Sequence, residues 1–243
     1  MIALFTDFGL AGPYTGQVMA TLHHVAPRVP VVSLFADAPS ARPKPSAYLL
    51  AAYAVWFPPG TVLLCVVDPG VGGARRAVVA EANGRFYVGP DNGLFDIVQR
   101  RAGETRLWEI SWRPEQLSAS FHGRDLFAPV AARLAAGEPV AALAKPAANQ
   151  SASRAWPDDL AEIVYIDHYG NAMTGLRGDL LAQDARLVAN GRKIAPAATF
   201  SAMPPGEALW YTNSNGLAEI ALNSARADTT LELAIGGKVM VEA

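Results

Sequence analysis

The chain has 243 residues, of which 51% are hydrophobic and 17% charged, with a formal net charge of -2. That much apolar material fills one large core or two small ones and excludes a disordered chain. There is no run of like charges, so the clustered Lys and Arg of a nucleic-acid surface are missing and a small-molecule ligand is expected instead.

The chain opens with an apolar strand, Ile2 to Thr6, which runs into Asp7-Phe8-Gly9 without the basic start and small-residue cleavage site of an export signal. An amphipathic helix is expected from Tyr14 to Val25, a strand from Val31 to Phe35 and a helix from Ser46 to Phe57. The longest apolar stretch, Tyr48 to Phe57, ends at Pro58-Pro59-Gly60 and is far short of the roughly 20 residues of a membrane span, so no membrane partner is expected. Thr61 to Val67 reads as a buried strand ending at Asp68-Pro69-Gly70. It holds the only cysteine, Cys65, whose setting suits a buried reduced thiol and a cytoplasmic location.

Strands are then expected at Ala77 to Glu81 and Arg85 to Val88, and helices at Leu94 to Arg101 and Leu126 to Ala136. This alternation is the grammar of an α/β domain with a mainly parallel sheet. Residues 145–159 are rich in Ala, Ser, Asn and Pro and carry little periodicity, which sets the expected domains at 1–150 and 160–243. Short strands at Glu162 to Asp167, Ala185 to Ala189, Gly216 to Leu222 and Thr229 to Val241, separated by turns such as Asn190-Gly191, make the second an antiparallel β domain.

Three turns could carry chemistry. In the glycine-rich segment Asp68 to Arg76, a buried strand delivers a carboxylate and a guanidinium to the usual ligand edge of a parallel sheet. An Asx turn with a surface ion pair reads equally well. Ser120 to Asp125 joins His122 to Arg124 and Asp125 ahead of a helix, although Asp125 could serve as its cap and His122 as a structural hydrogen bonder. Asp7 ends a strand as a carboxylate suited to gripping vicinal sugar hydroxyls, or as a simple turn former.

Asn92, in Gly89 to Leu94, could add a polar contact at the same edge or merely shape a tight turn. Asp167 to Asn171 and Asn213 to Gly216 combine hydrogen-bonding groups with an aromatic face, or are β-turns. The four histidines form no His-Glu-x-x-His and there is no cysteine pair, so metal-free chemistry without a cofactor is expected. Gly-x-Ser-x-Gly and Gly-x-Gly-x-x-Gly are also missing.

Taken in order, Thr6 to Gly9, Val67 to Gly72 with Arg75, Gly89 to Gly93, Phe121 to Asp125, Ile166-Asp167, Tyr169 to Asn171 and Asn213-Ser214 resemble the S-adenosyl-L-methionine hydroxide adenosyltransferases over nearly the whole chain. The resemblance implies cleavage of S-adenosyl-L-methionine by water at the ribose 5′ carbon, giving adenosine and L-methionine. It implies an N-terminal α/β domain, a C-terminal β-barrel-like domain and a homotrimer with sites between subunits. Asp68, Arg75 and His122 match the catalytic positions. Asp7, Phe8, Tyr14, Asn92, Asp167, Tyr169, Asn171, Asn213 and Ser214 match positions around the substrate: Asp7 at the ribose, Tyr169 and Asn171 around the adenine, and Tyr14, Asp167 and Ser214 at the methionine end.

The related adenosyl fluoride and chloride synthases differ at the Asp, Arg and His positions, and they place an aromatic against the sugar where Ala41 to Pro43 offers none. In the mechanism this suggests, Arg75 supplies fixed positive charge, Asp68 orients it and the water, and His122 completes the cage or takes the proton. A halide-using transferase and a non-catalytic sensor of adenosine or S-adenosyl-L-methionine are the alternatives.

Overall fold

In the computed structural model, which describes residues 1–148 and 155–242, the first apolar run becomes β1 (Ile2–Thr6), a strand buried along its whole length. It lies between β2 (Val31–Phe35) and β3 (Val62–Val66), parallel to both. The sheet continues through β5 (Arg85–Pro90), β4 (Ala77–Ala82), β6 (Thr105–Ile110) and β7 (Ala144–Pro146), in the order β2-β1-β3-β5-β4-β6-β7. The half from β2 to β5 is parallel, whereas β4, β6 and β7 pair antiparallel, so the sheet is mixed. The β4–β5 hairpin turns at Asn83-Gly84, where both residues have positive φ, the backbone that matches strand twist in a two-residue loop.

Alternation along the strands sends Ile2, Leu4, Val62, Leu64 and Val66 to one face, where they pack with Val18 and Leu22 of α1 (Tyr14–Val25) and with the apolar side of α4 (Ala128–Ala135). Phe5 points the other way and meets Phe35 at 5.3 Å, which in turn meets Tyr53 of α2 (Pro43–Tyr53) at 5.0 Å. That second face also carries α3 (Asp96–Arg100), preceded by Phe95 against Tyr87. The α2 helix starts three residues ahead of the expected Ser46 because Pro43 has the fixed φ of a first helical turn, and the tail expected to Phe57 tightens into a 3-10 turn at Ala54–Trp56.

The chain divides into two units, Met1–Ala155 and Trp156–Ala243, and residues 149–154 of the expected linker lie outside the described residues. The second unit is a seven-stranded sheet: β8 (Leu160–Ile166), β9 (Ala172–Arg177), β10 (Arg186–Ala189), β11 (Arg192–Pro196), β12 (Ala208–Thr212), β13 (Leu217–Leu222) and β14 (Val239–Glu242), ordered β14-β10-β11-β12-β13-β9-β8. Its two edges meet through a Glu162–Lys238 bridge and paired bonds of Ile163 with Gly236 and Gly237, which nearly closes a barrel. The strand expected from Thr229 to Val241 is instead the turn of helix α5 (Ala227–Thr230), a loop, and β14. Leu231 and Leu233 pack into the core from this irregular segment, so burial there does not require pairing. Among the described residues, no helix is long and apolar enough to cross a membrane.

Glycine 89 holds the ends of β3 and β5 together. A Cβ there would collide with the Cys65 carbonyl oxygen and stand 3.0 Å from the Phe95 ring. Gly89→Ala is expected to lower the free energy of unfolding by about 1–3 kcal/mol, read from the urea midpoint; an unchanged midpoint would contradict this packing.

Candidate active site

Register brings two carboxylates to one edge. Thr6 of β1 pairs with Val66 of β3, so the chain leaves both strands side by side, with Asp7 one residue beyond β1 and Asp68 two beyond β3. After Asp68 the backbone folds through successive turns, Val71 N–H to the Asp68 carbonyl and Gly73 N–H to the Gly70 carbonyl, and brings Arg75 back over the carboxylate. Gly72 makes this return possible: its φ is +77° and a Cβ would lie 2.6 Å from the carbonyl oxygen of Ala119.

Arg75 Nε donates to both carboxylate oxygens of Asp68, at 3.1 and 2.9 Å, and Nη2 donates to Oδ2. The pair is nearly dry, the side chains being 11% and 4% exposed, and the guanidinium also lies over the Phe127 ring at 5.2 Å. Breaking such a pair by removing one partner costs about 3–5 kcal/mol, because the other charge is left buried.

The same Nη2 reaches Nδ1 of His122 at 2.9 Å. Arginine has no acceptor, so Nδ1 must be the acceptor and the neutral ring carries its proton on Nε2. His122 stands just ahead of a π-helical turn, Gly123–Phe127, that runs into α4. Such wide turns are frequent at functional sites. Asp125 does not cap this helix: its carboxylate accepts from Ser118 N–H at 2.9 Å and from Arg124, tying the turn to the loop before it. Burial, then the adjacent Arg75 charge, lowers the His122 pKa below its ordinary value, with the Asp68 charge acting against them.

Asp7 accepts the backbone N–H of Ala41 at 2.8 Å, and Ala41 is held there at φ +55°, in the left-handed region an alanine seldom adopts. Burial raises the Asp7 pKa and the nearby Asp68 charge adds to it, while the Ala41 bond opposes both. Asp7, Phe8, Ala41, Asp68, Phe121 and His122 line a cleft of about 120 Å³. Beside it, Phe8, Tyr14 and Phe121 pack ring against ring at 5.5 to 6.3 Å. Asn92, by contrast, spends its carboxamide on the scaffold, donating to the Val67 carbonyl and accepting from Leu94 N–H.

The remaining expected residues belong to the second unit. Asp167 accepts from the Asn171 backbone at 2.8 Å and from its side-chain amide at 3.2 Å, closing the β8–β9 turn. Tyr169 stands out of that turn, 74% exposed. Asn213 accepts from the backbones of Asn215 and Leu217 and donates to Glu219, whereas Ser214 keeps an exposed hydroxyl near the Asn215 amide. Sequence reasoning missed Ala41, whose contribution is a backbone N–H, and Glu219, whose signal was a lone acid inside the apolar run Leu217–Leu222. Among the described residues, no group of three or more His, Cys, Asp or Glu could hold a metal ion.

The model of the SAM hydroxide adenosyltransferase N-terminal domain matches residues 2–144, and that of the C-terminal domain matches residues 161–240. The chain is 37% identical to an (R)-S-adenosyl-L-methionine hydrolase of Salinispora arenicola over 256 residues, covering 100% of this chain and 97% of the relative. A protein of the same name from Thermus thermophilus is also 37% identical, over 97% and 96% of the two chains. A fluorinase of Actinopolyspora mzabensis is 24% identical, over 99% and 96%. A crystal structure of a conserved protein from Thermotoga maritima superposes with a TM-score of 0.90 at 29% identity over all of both chains.

Burial, with the Arg75 charge beside it, makes the histidine a pH reporter. Its charged form is disfavoured in the folded chain, so the unfolded chain takes the proton first: this contribution to stability is complete above about pH 6.5 and declines as pH falls below it. NMR titration of the His122 ring is expected to give a midpoint below the usual histidine value. A midpoint at or above that value would contradict the geometry.

Proposed function

The chain belongs to the S-adenosyl-L-methionine hydroxide adenosyltransferase family, and from that membership we propose that it hydrolyses S-adenosyl-L-methionine to adenosine and L-methionine. The observation that carries the reading is the Asp68–Arg75–His122 chain of hydrogen bonds at the wall of a cleft that also holds Asp7.

Water attacks the 5′ carbon in line with the departing sulfur. The new C–O bond forms as the C–S bond breaks, the bond pair returns to sulfur as the thioether of methionine, and one water proton is released. The sulfonium is already a good leaving group, so the protein's task is to aim the oxygen and favour its hydroxide character. Arg75 supplies a fixed positive charge that needs no reorganisation, and Asp68 both orients it and accepts from the water. With Nδ1 of His122 engaged by Arg75, the outward atom of the neutral ring is Nε2–H, a donor to the oxygen lone pair. His122 therefore acts as a holder of the nucleophile and not as its base. Asp7 takes the vicinal ribose hydroxyls.

The reaction runs without a metal in this reading, because the guanidinium occupies the place between carboxylate and imidazole where a cation would bind. The protein acts as a homotrimer in the cytoplasm. Support for a site completed by a neighbouring subunit comes from size: a cleft of about 120 Å³ is smaller than the roughly 300 Å³ or more that encloses a ligand of this class. The exposed Tyr169 ring and the polar turns at Asp167–Asn171 and Asn213–Gly216 have the chemistry to supply the missing walls.

Purified protein incubated with S-adenosyl-L-methionine in ¹⁸O-labelled water is expected to release adenosine labelled at its 5′ oxygen, with no halogenated nucleoside when chloride or fluoride is added. Asp68→Ala, Arg75→Ala and His122→Ala should each lower kcat by about 10²–10³-fold, the scale of a lost transition-state donor, while circular dichroism stays unchanged. Equal turnover in the variants and the parent would overturn the assignment.

A further inference from the structure

The helical stretch after His122 opens without a side-chain cap, because the first N–H groups of the π turn find a main-chain acceptor: Arg124 and Asp125 both donate to the Phe121 carbonyl at 3.2 Å. The Asp125 carboxylate is thereby released and reaches back seven residues to the Ser118 N–H at 2.9 Å. That bond closes a ring of chain, Ser118 to Asp125, with His122 inside it. The Ser118 hydroxyl braces the ring by accepting from Ser120 N–H at 3.4 Å.

Asp125 is in turn gripped by its neighbour. Arg124 donates Nε to Oδ1 at 2.6 Å and Nη2 to Oδ2 at 3.0 Å, a bidentate charge-assisted pair whose carboxylate is 15% exposed. The Arg124 bond holds the Asp125 carboxyl below the usual carboxylate range. The same guanidinium extends the grip, for Nη1 donates to Oε1 of Gln17 on α1 at 2.8 Å and the group lies over the Phe121 ring at 5.1 Å.

The ring meets the rest of the site at three places. The Ala119 carbonyl lies against Gly72, in the turn that returns Arg75, where a Cβ would stand 2.6 Å away. Gly123 lies against Phe8 of the cleft wall, where a Cβ would stand 2.9 Å from the aromatic ring, and Arg124 reaches α1. Two of these approaches leave no room for a side chain, so the position of His122 depends on the ring staying closed.

We propose that Asp125 is a positioning residue for the hydrolysis: by closing the ring it holds the His122 imidazole with Nδ1 on Arg75 and Nε2–H toward the cleft. This rests on the adenosyl reading above and adds to it what fixes the third member of the site. Arg75 selects the tautomer, and Asp125 sets where the imidazole stands. A displacement of about 1 Å in a group that aims the nucleophile can cost about 10²-fold in rate, so the clamp bears on turnover more than on substrate binding.

The test pairs steady-state kinetics on S-adenosyl-L-methionine with ¹⁵N NMR of the neutral His122 ring, both in the full-length protein. Asp125→Ala frees Ser118 N–H and Arg124 together and should lower kcat by about 10- to 100-fold, with KM within about threefold of the parent. In the parent the Arg75 bond keeps the Nδ1 and Nε2 signals far apart, and in the variant they should draw together as both tautomers are sampled. Asp125→Asn keeps an oxygen for Ser118 N–H, should fall between the two in both readouts, and decides the matter if Asp125→Ala does not fold. A deciding variant with parental kcat, or one that is slow while its imidazole signals stay parental, overturns the positioning role and leaves the adenosyl reading standing. A parent without turnover overturns the adenosyl reading, and the imidazole signals then decide the clamp alone.

Discussion

A guanidinium held in a dry setting between a carboxylate and an imidazole sets the terms for the rest of the first unit. Arg75 can be buried because Asp68 takes Nε and Nη2 together, and His122 can be neutral and correctly protonated because Arg75 takes Nδ1. Each partner orients the next, so the three groups form one connected hydrogen-bond chain. The scaffold serves that arrangement. The register of β1 with β3 sets where Asp7 and Asp68 emerge, Gly72 lets the return turn lie against Ala119, and the π turn delivers His122 from the far end of the unit.

The second unit uses its carboxylates, Glu219 buried and Asp167 half-buried, in a different way. Asp167 and Glu219 collect N–H and O–H donors from two turns and a neighbouring strand. A carboxylate that accepts several such bonds is costly to bury and correspondingly specific about which donors surround it. That specificity holds the shape of turns from which Tyr169 and Ser214 stand exposed.

Legibility in the sequence followed the strength of the local signal. β1 and α1 have the expected ends because uniform burial and a helical period fix them, β2 matches its expected ends although only Phe35 is buried, and Asn83-Gly84 and Asn190-Gly191 sit at positive φ as turn residues should. The strands β6 and β7 went unread. Thr105–Ile110 lacks clean alternation, and Ala144–Pro146 is a three-residue edge. In the second unit β9, β11 and β12 were missed, and the Thr229–Val241 stretch was read as a strand because Leu231 and Leu233 are apolar although they pack from a loop. Among site residues, Asp68, Arg75 and His122 were legible as a set and do meet, whereas the parts played by Asn92 and Asn213 depend on backbone partners that no motif displays. Ala41 was beyond reach because it acts through its main chain, whereas Glu219 showed as a lone acid in an apolar run but gave no hint of its donors Tyr211 and Asn213.

Asp68 and His122 are each bonded to Arg75 as well as aimed at the water, so their effects on turnover cannot be independent. A double-mutant cycle on S-adenosyl-L-methionine hydrolysis with Asp68→Asn and His122→Gln measures that dependence directly. The account predicts that the double variant is about as slow as the slower single variant, because either change already disorders the shared guanidinium. Losses that multiply, each variant contributing its own factor regardless of the other, would contradict it.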